Sequence, residues 1–297
     1  MQVLPERGER GDDHRLQEGI GGAGDGQDRE RDVVVLTLGC HYRTVPVTKL
    51  YLEEAELYDI AFDWDVTEEV GWLFERLGCP RTVLEPGCGS GRMLEAFARL
   101  GVKVTGIDVS PRMIELARRR LGSDADLHVA DMTDFHLGRK FDGAVSPINT
   151  LLHLTPEELA RHLGCMALQL RAGGIYLVQV GLMEPETHDP SAGSHWEASR
   201  GGTTLRVDWV DDEVDFERGV SRQRSRIDVV TGDRAGEVLE ETHEMTLWTP
   251  ATWSRAVDAS PFEQTATYDG GRKNEWPSVG RDATGGLLWH ELRVRRR

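Results

Sequence analysis

The chain has 297 residues, 39% of them hydrophobic and 29% charged, with a formal net charge of −16. That apolar content supports one substantial core and a small accessory layer. The acidity repels phosphate backbones and anionic membrane surfaces, so neither nucleic acid nor a membrane is an expected partner, though it also simply keeps a cytosolic protein in solution.

The four cysteines, Cys40, Cys79, Cys88 and Cys165, show no CxxC pairing and no companion histidines at zinc-site spacing, so a reducing compartment and no metal are expected. No apolar run approaches the roughly 18–20 residues that span a bilayer, and the first 31 residues lack the apolar centre of a signal peptide, which predicts a cytoplasmic protein.

Residues 1–44 are rich in Gly, Asp, Glu, Arg and Gln and have little to bury. They are expected to be a disordered tail, with Val33–Leu38 the one stretch resembling a strand. Folded structure is expected from about Leu50, where Tyr51, Leu52, Ala55, Leu57, Tyr58, Ile60, Ala61 and Phe62 begin a dense apolar pattern. Val66, Val70, Leu73, Phe74 and Leu77 recur at helical spacing before Gly78.

Strand and helix then alternate. Thr82–Glu85 leads through Glu85-Pro86-Gly87-Cys88-Gly89-Ser90-Gly91 into a helix bearing Met93, Leu94, Phe97 and Leu100. Val102–Asp108 leads to the cap Ser110-Pro111 and a helix with Met113, Ile114, Leu116 and Ala117. Leu127–Asp131 and Phe141–Ser146 read as the third and fourth strands. Thr155-Pro156-Glu157-Glu158 is a capping box opening a helix that Gly173-Gly174 releases into strand Ile175–Val180.

Residues 181–248 read as inserted antiparallel strands. Leu205, Val207 and Trp209 alternate with polar residues, as do Arg222, Arg224 and Arg226, and then His243, Met245 and Leu247. Thr249-Pro250 caps a helix with Trp253 and Val257, and strands at about Phe262–Tyr268 and Leu287–Val294 follow. The expected fold is α/β: a Rossmann-like, seven-stranded, mostly parallel sheet with helices on both faces and an added antiparallel layer. The expected division is a core over 45–180, the insertion over 181–248, and a closing helix with two strands over 249–297.

A glycine-rich turn after the first strand places backbone N–H groups at the crevice where open α/β sheets bind ligands. Glu85, Asp108, Asp131 and Ser146 end or closely follow the first four strands and face that crevice together. A dinucleotide loop wants glycine where Arg92 stands, and the Gly-Lys-Ser/Thr ending of a P-loop is absent.

On these residues the sequence resembles the class I methyltransferases over about Tyr51–Val180, and more weakly beyond. The resemblance implies S-adenosyl-L-methionine as cofactor, with Gly87, Cys88, Gly89 and Gly91 under its methionine portion. It also implies that Asp108 accepts from the ribose hydroxyls, Asp131 and Met132 hold the adenine, and Val109 and Met113 touch its face. Ser146 and Glu85 complete the candidate binding set, though Glu85 could instead serve the loop backbone. Tyr58-Asp59 and the run Asp131–Phe141 are similar to the amino-sugar N,N-dimethyltransferases of macrolide pathways, whose helix-ending glycine is here replaced by Ser260-Pro261.

The implied reaction is methyl transfer to a nitrogen or oxygen of a small molecule. His153, just beyond the fourth strand, is the candidate base, since an ordinary pKa of about 6.5 suits proton transfer near neutrality; a histidine satisfying a turn is the other reading. Tyr58 would close over the methionine end, or is core. His243 and Trp209 are core or pocket-lining residues. The inserted strands would shape the acceptor pocket and present one face to packing and the other to substrate or to a second subunit in a homodimer. The aromatic tetrad of DNA amino-methyltransferases is absent after the fourth strand, as is the paired-glutamate loop of arginine methyltransferases. A methyltransferase of protein or tRNA, and a regulator that binds the cofactor without catalysis, remain as alternatives.

Overall fold

The computed structural model describes residues 48–189, 193–271 and 275–296. The tail expected over 1–44 and the strand expected at Val33–Leu38 lie outside the described residues.

Two short helices, α1 (Lys49–Leu52) and α2 (Ala55–Ala61), precede α3 (Thr67–Arg76). Five strands then build the parallel half of the sheet: β1 (Thr82–Pro86), β2 (Lys103–Asp108), β3 (Asp126–Val129), β4 (Phe141–Ser146) and β5 (Leu170–Gln179). Between them run α4 (Arg92–Arg99), α5 (Pro111–Leu121) and α6 (Pro156–Gln169). The antiparallel insertion comprises β6 (Gly193–Arg200), β7 (Thr203–Asp215), β8 (Val220–Thr231) and β9 (Val238–Thr246). The helix α7 (Pro250–Asp258) and strands β10 (Phe262–Asp269), β11 (Ser278–Val279) and β12 (Leu288–Val294) return to the main sheet.

The main sheet runs β11-β10-β12-β5-β4-β1-β2-β3. Its order reverses between β1 and β4, so the loops leaving those strands diverge and open a crevice at their carboxyl ends. Apolar side chains fill both faces. Leu159, Leu163 and Met166 of α6 pack with Tyr176, Trp253 and Phe262 on one side; Leu73, Phe97 and Ile114 of α3, α4 and α5 pack with Trp289 on the other.

Local capping chemistry sets where the helices begin. Ser110 Oγ accepts the N–H of Met113 at 3.2 Å with proline following, and Thr155 and Thr249 form reciprocal capping boxes with Glu158 and Thr252. After α7 the Ser260 hydroxyl donates to the Val257 carbonyl at 2.7 Å and accepts from the Phe262 N–H at 3.1 Å, so a side chain closes the turn.

Several elements differ from the sequence expectation. The sheet has eight strands, not seven, because the two-residue β11 pairs with Thr267 and Tyr268; two residues carry no readable alternation. β3 stops at Val129, since Asp131 turns to accept the Thr133 N–H at 2.7 Å. β5 begins at Leu170, directly after α6, and pairs with Phe141 through Leu170, so Gly173 and Gly174 lie within the strand. The insertion has a strand, β6, ahead of those expected, with mostly exposed polar residues and no apolar period.

The insertion folds around the N-terminal helices. Leu205, Val207, Ile227 and Val229 share a core with Leu50, Leu57 and Ala61, and the Glu241 carboxylate accepts the Leu50 N–H at 3.2 Å. On the opposite face, Arg222 pairs with Glu213, Arg224 with Asp212, and Arg226 with Asp228 and Glu240. The alternating arginines of the sequence thus form a solvated ladder.

Two histidines are buried in the main domain. His162 bonds with the Met132 carbonyl (2.8 Å) and the Tyr176 hydroxyl (2.9 Å), and His290 with the Val180 carbonyl (3.0 Å). Burial lowers both from 6.5 to about 4. Depressed folded values mean that the unfolded chain binds protons first on acidification. Stability is therefore fully present above about pH 6.5 and lost as the pH falls toward 4. Urea midpoints should be lower at pH 5 than at pH 7.5, with part of that slope removed in His162→Gln.

Candidate active site

The glycine loop between β1 and α4 is held open by its own backbone. Gly87 and Gly91 take φ of +67° and +81°, a region that side chains rarely adopt. A Cβ on Gly87 would lie 2.6 Å from Thr150 Cγ2, and one on Gly91 would lie 2.9 Å from Leu121 Cδ1 and 3.2 Å from Ala117 Cβ. The loop can neither widen nor carry side chains there. Gly89 stands opposite Tyr58, whose Cε1 would be 3.9 Å from an added Cβ.

Asp108 fastens the loop to the end of β2. One carboxylate oxygen accepts the Gly89 N–H at 2.9 Å and the other the Ser110 N–H at 2.8 Å. Burial raises its pKa, and the two backbone bonds oppose that shift. A carboxylate has about four acceptor positions, so two such bonds leave room for hydroxyl donors. Val109 beside it is 50% exposed.

Other expected residues are placed differently. Met113 is fully buried with Ala55 and Leu116, against Tyr51 and Tyr58, beneath the N-terminal helices. The Cys88 thiol packs where a Cβ on Gly106 would fall, at 2.6 Å, which leaves only the Cys88 backbone to the loop. Ser146 is fully buried. Asp131 spends one oxygen on the Thr133 N–H and hydroxyl, while Met132 Sδ lies 3.9 Å from the Gly87 Cβ position. Glu85 is buried, with burial pushing its pKa well up and Oε2 unpartnered among the described residues. No backbone N–H in the described residues donates to it, so the loop-serving reading finds no bond to rest on.

Tyr58 and Phe62, stacked at 4.3 Å, roof the loop. With Glu85, Gly87, Gly89, Arg92, Pro147, Ile148 and Thr150 they enclose a cavity of about 50 Å³.

The turn after β4 is the most strained backbone in the site. Ile148 and Asn149 have φ of +45° and +59°, costing on the order of 1–3 kcal/mol each. Side chains impose the conformation: the Ile148 N–H donates to Gln179 Oε1 (2.7 Å), while Asn149 accepts from the Gly181 N–H (2.7 Å) and donates to the Gly286 carbonyl (3.0 Å). This strap sets Thr150 against Gly87 and carries His153 inward. Sequence reasoning named His153 but not Ile148, Asn149 or Thr150, because positive φ at non-glycine residues has no composition signal.

His153 Nε2 lies 3.4 Å from the Tyr51 hydroxyl, and the rings meet edge-on at 5.6 Å. Burial, with a smaller effect from His243, lowers it to about 4, not the 6.5 expected from sequence. His243 stacks on Trp209 at 4.8 Å and shares a 2.8 Å bond with Ser225. Its Nδ1 is buried without a partner among the described residues. The insertion and the β4 turn thus bring His153, His243, Tyr51 and Trp209 to one wall beside the glycine loop.

Residues 83–174 match a family model described as a methyltransferase domain. The dTDP-3-amino-3,6-dideoxy-alpha-D-glucopyranose N,N-dimethyltransferase of Streptomyces fradiae is 32% identical over 221 residues, covering 70% of this chain and 83% of that protein. The chain belongs to the S-adenosylmethionine-dependent methyltransferases. A second relative of this methyltransferase, the dTDP-3-amino-3,4,6-trideoxy-alpha-D-glucopyranose N,N-dimethyltransferase of Streptomyces venezuelae, is 39% identical over 99 residues. That match covers 33% of this chain and spans 41% of the relative's length. The S-adenosylmethionine-bound amino pentose methyltransferase of calicheamicin biosynthesis from Micromonospora echinaspora shares the fold, with TM-score 0.64 and 22% identity over 80% of this chain and 97% of that one.

The residues present suit the cofactor of this methyltransferase. A glycine cradle that a Cβ would fill, an acid with spare acceptor capacity at the end of β2, and an unpartnered buried carboxyl at Glu85 are complementary to a nucleoside with an amino-acid tail. Gly91→Ala should cost about 1–3 kcal/mol through the positive φ and the Leu121 contact, read as a lower urea midpoint with unchanged m.

Proposed function

We propose that this methyltransferase transfers a methyl group to the amino nitrogen of a nucleotide-activated amino sugar in the cytoplasm. The observation that carries the reading is the 32% identity to the S. fradiae sugar N,N-dimethyltransferase over 221 residues, a span too long to be confined to β1–β5. The free thiols of Cys79, Cys88 and Cys165 suit a reducing compartment.

When bound, S-adenosylmethionine supplies an electrophilic methyl carbon on a sulfonium. In this reading Gly87, Gly89, Gly91 and the Cys88 backbone cradle its methionine portion and Glu85 takes the ammonium. Asp108 accepts from the ribose hydroxyls, with Val109, Asp131 and Met132 around the adenine. Met113 and Ser146, both buried, support that wall from behind. Tyr58 closes the methionine end and excludes water.

The acceptor amine attacks with its nitrogen lone pair, so it must arrive as the free base, oriented opposite the sulfur. Positioning of this kind is worth about 7–11 kcal/mol. His153, lowered to about 4, is neutral at physiological pH. Its role is therefore to accept a hydrogen bond from the amine N–H and fix the direction of the lone pair. The proton lost on methylation passes to water, because an imidazole of such low basicity holds a proton poorly.

Asp108→Ala should weaken S-adenosylhomocysteine binding at least about tenfold in calorimetric titration, since bonds to charged groups are worth roughly 1.5–3 kcal/mol. His153→Ala should lower kcat about a hundredfold, the size of a positioning loss, with the cofactor Kd unchanged. With His153 titrating near 4, the wild-type rate should show no limb near pH 6.5 that the variant lacks; such a limb would mean an ordinary imidazole acting as base. Transfer of labelled methyl groups to dTDP-amino sugars tests the acceptor directly, and transfer only to other metabolites would overturn the sugar assignment.

A further inference from the structure

Arg92, the first residue of α4, lines the loop cavity together with Glu85. Its guanidinium stacks over the Trp64 ring at 4.2 Å, and Nη1 donates to the Trp64 carbonyl at 3.4 Å. A guanidinium has five N–H donors, and that is the one hydrogen bond it makes among the described residues. It forms no ion pair there, whereas Arg112, Arg120, Arg200 and Arg234 all do. The acids nearest its charge, Glu69 and Glu85, are themselves shifted toward their neutral forms by burial, so neither is a committed counter-ion. A guanidinium with one hydrogen bond and no ion pair keeps donors free for an anion.

We propose that Arg92 anchors the α-carboxylate of the cofactor's amino-acid tail, with Trp64 holding the guanidinium plane at the cavity wall. This rests on the cofactor site described above. The tail is a zwitterion, and the cavity lining includes one cation and one carboxyl: Arg92 takes the carboxylate while Glu85 takes the ammonium. Ligand binding thereby gives the guanidinium an anion and the unpartnered Glu85 Oε2 a donor. The amino end of α4 adds a favourable dipole for the same anion. Trp64 follows α2, so the stack also ties the roof bearing Tyr58 and Phe62 to the tail of the ligand.

The test is a ligand-by-variant cycle on the full chain by calorimetry. The ligands are S-adenosylhomocysteine and its decarboxylated analogue, which keeps the nucleoside and the amine. The wild type should bind the carboxylate-bearing ligand at least about tenfold more tightly, as expected for a charge-assisted bidentate contact. In Arg92→Met, which keeps the aliphatic stem over Trp64, the two ligands should bind within about twofold of each other, and Arg92→Lys should restore part of the difference. A preference that survives undiminished in Arg92→Met overturns the proposal, as does a wild type that binds both ligands equally. That wild-type comparison decides even if Arg92→Met melts too low to titrate. A wild type that binds neither ligand overturns the cofactor site itself, a different failure from loss of the Arg92 assignment alone.

Discussion

The carboxylate of Asp108 joins three parts of the chain that would otherwise be independent. By accepting from Gly89 and Ser110 it fixes the glycine loop against the end of β2 and sets the first turn of α5. A loop of positive-φ residues has little preference of its own for one shape, because the same freedom that lets glycine adopt the turn lets it leave. The two bonds, together with the packing of Cys88 on Gly106, convert that freedom into one conformation. The strap at Ile148 and Asn149 does the same for the other wall of the crevice, and the two meet where Thr150 touches Gly87.

A second constraint holds the N-terminal helices in place. Asp59, next to Tyr58, is buried between Arg120 of α5 (2.8 Å) and Arg200 of β6 (2.6 Å). Against the cost of burial, the Ser90 hydroxyl and the two guanidiniums hold its pKa down. Exposed ion pairs of this kind contribute little, but a buried carboxylate deprived of its partners is strongly destabilising. The residue that aims Tyr58 at the glycine loop is thus tied at once to the cofactor half and to the inserted sheet.

Those parts of the fold written in local chemistry were legible in the sequence. Ser110-Pro111, Thr155-Pro156 and Thr249-Pro250 each name a helix start by a hydroxyl and a ring within two residues. The acids at the strand ends could be placed because a parallel sheet sends every such end to one side. What escaped depends on distant partners. β6 has no apolar period and exists by pairing with β7; β11 is two residues of pairing with β10. The lowered pKa of His153 comes from burial among elements about 90 to 100 residues away in sequence, those of Tyr51 and His243. Arg92 was visible only as a departure from a dinucleotide loop, since nothing in its neighbours announces Trp64, 28 residues earlier.

The seam between Leu50, Leu57 and Ala61 and the sheet residues Leu205, Val207, Ile227 and Val229 is continuous apolar packing, and closely packed interiors shift between discrete arrangements more readily than they deform. The roof of the small cavity packs against that same seam, as does Trp209 of the inserted sheet, so the wall over the glycine loop and the wall bearing His243 and Trp209 belong to one packed body. Were donor and acceptor to bind as proposed above, each would meet the other through the position of α2, and by thermodynamic reciprocity whatever one did to the affinity of the other would be returned in equal measure.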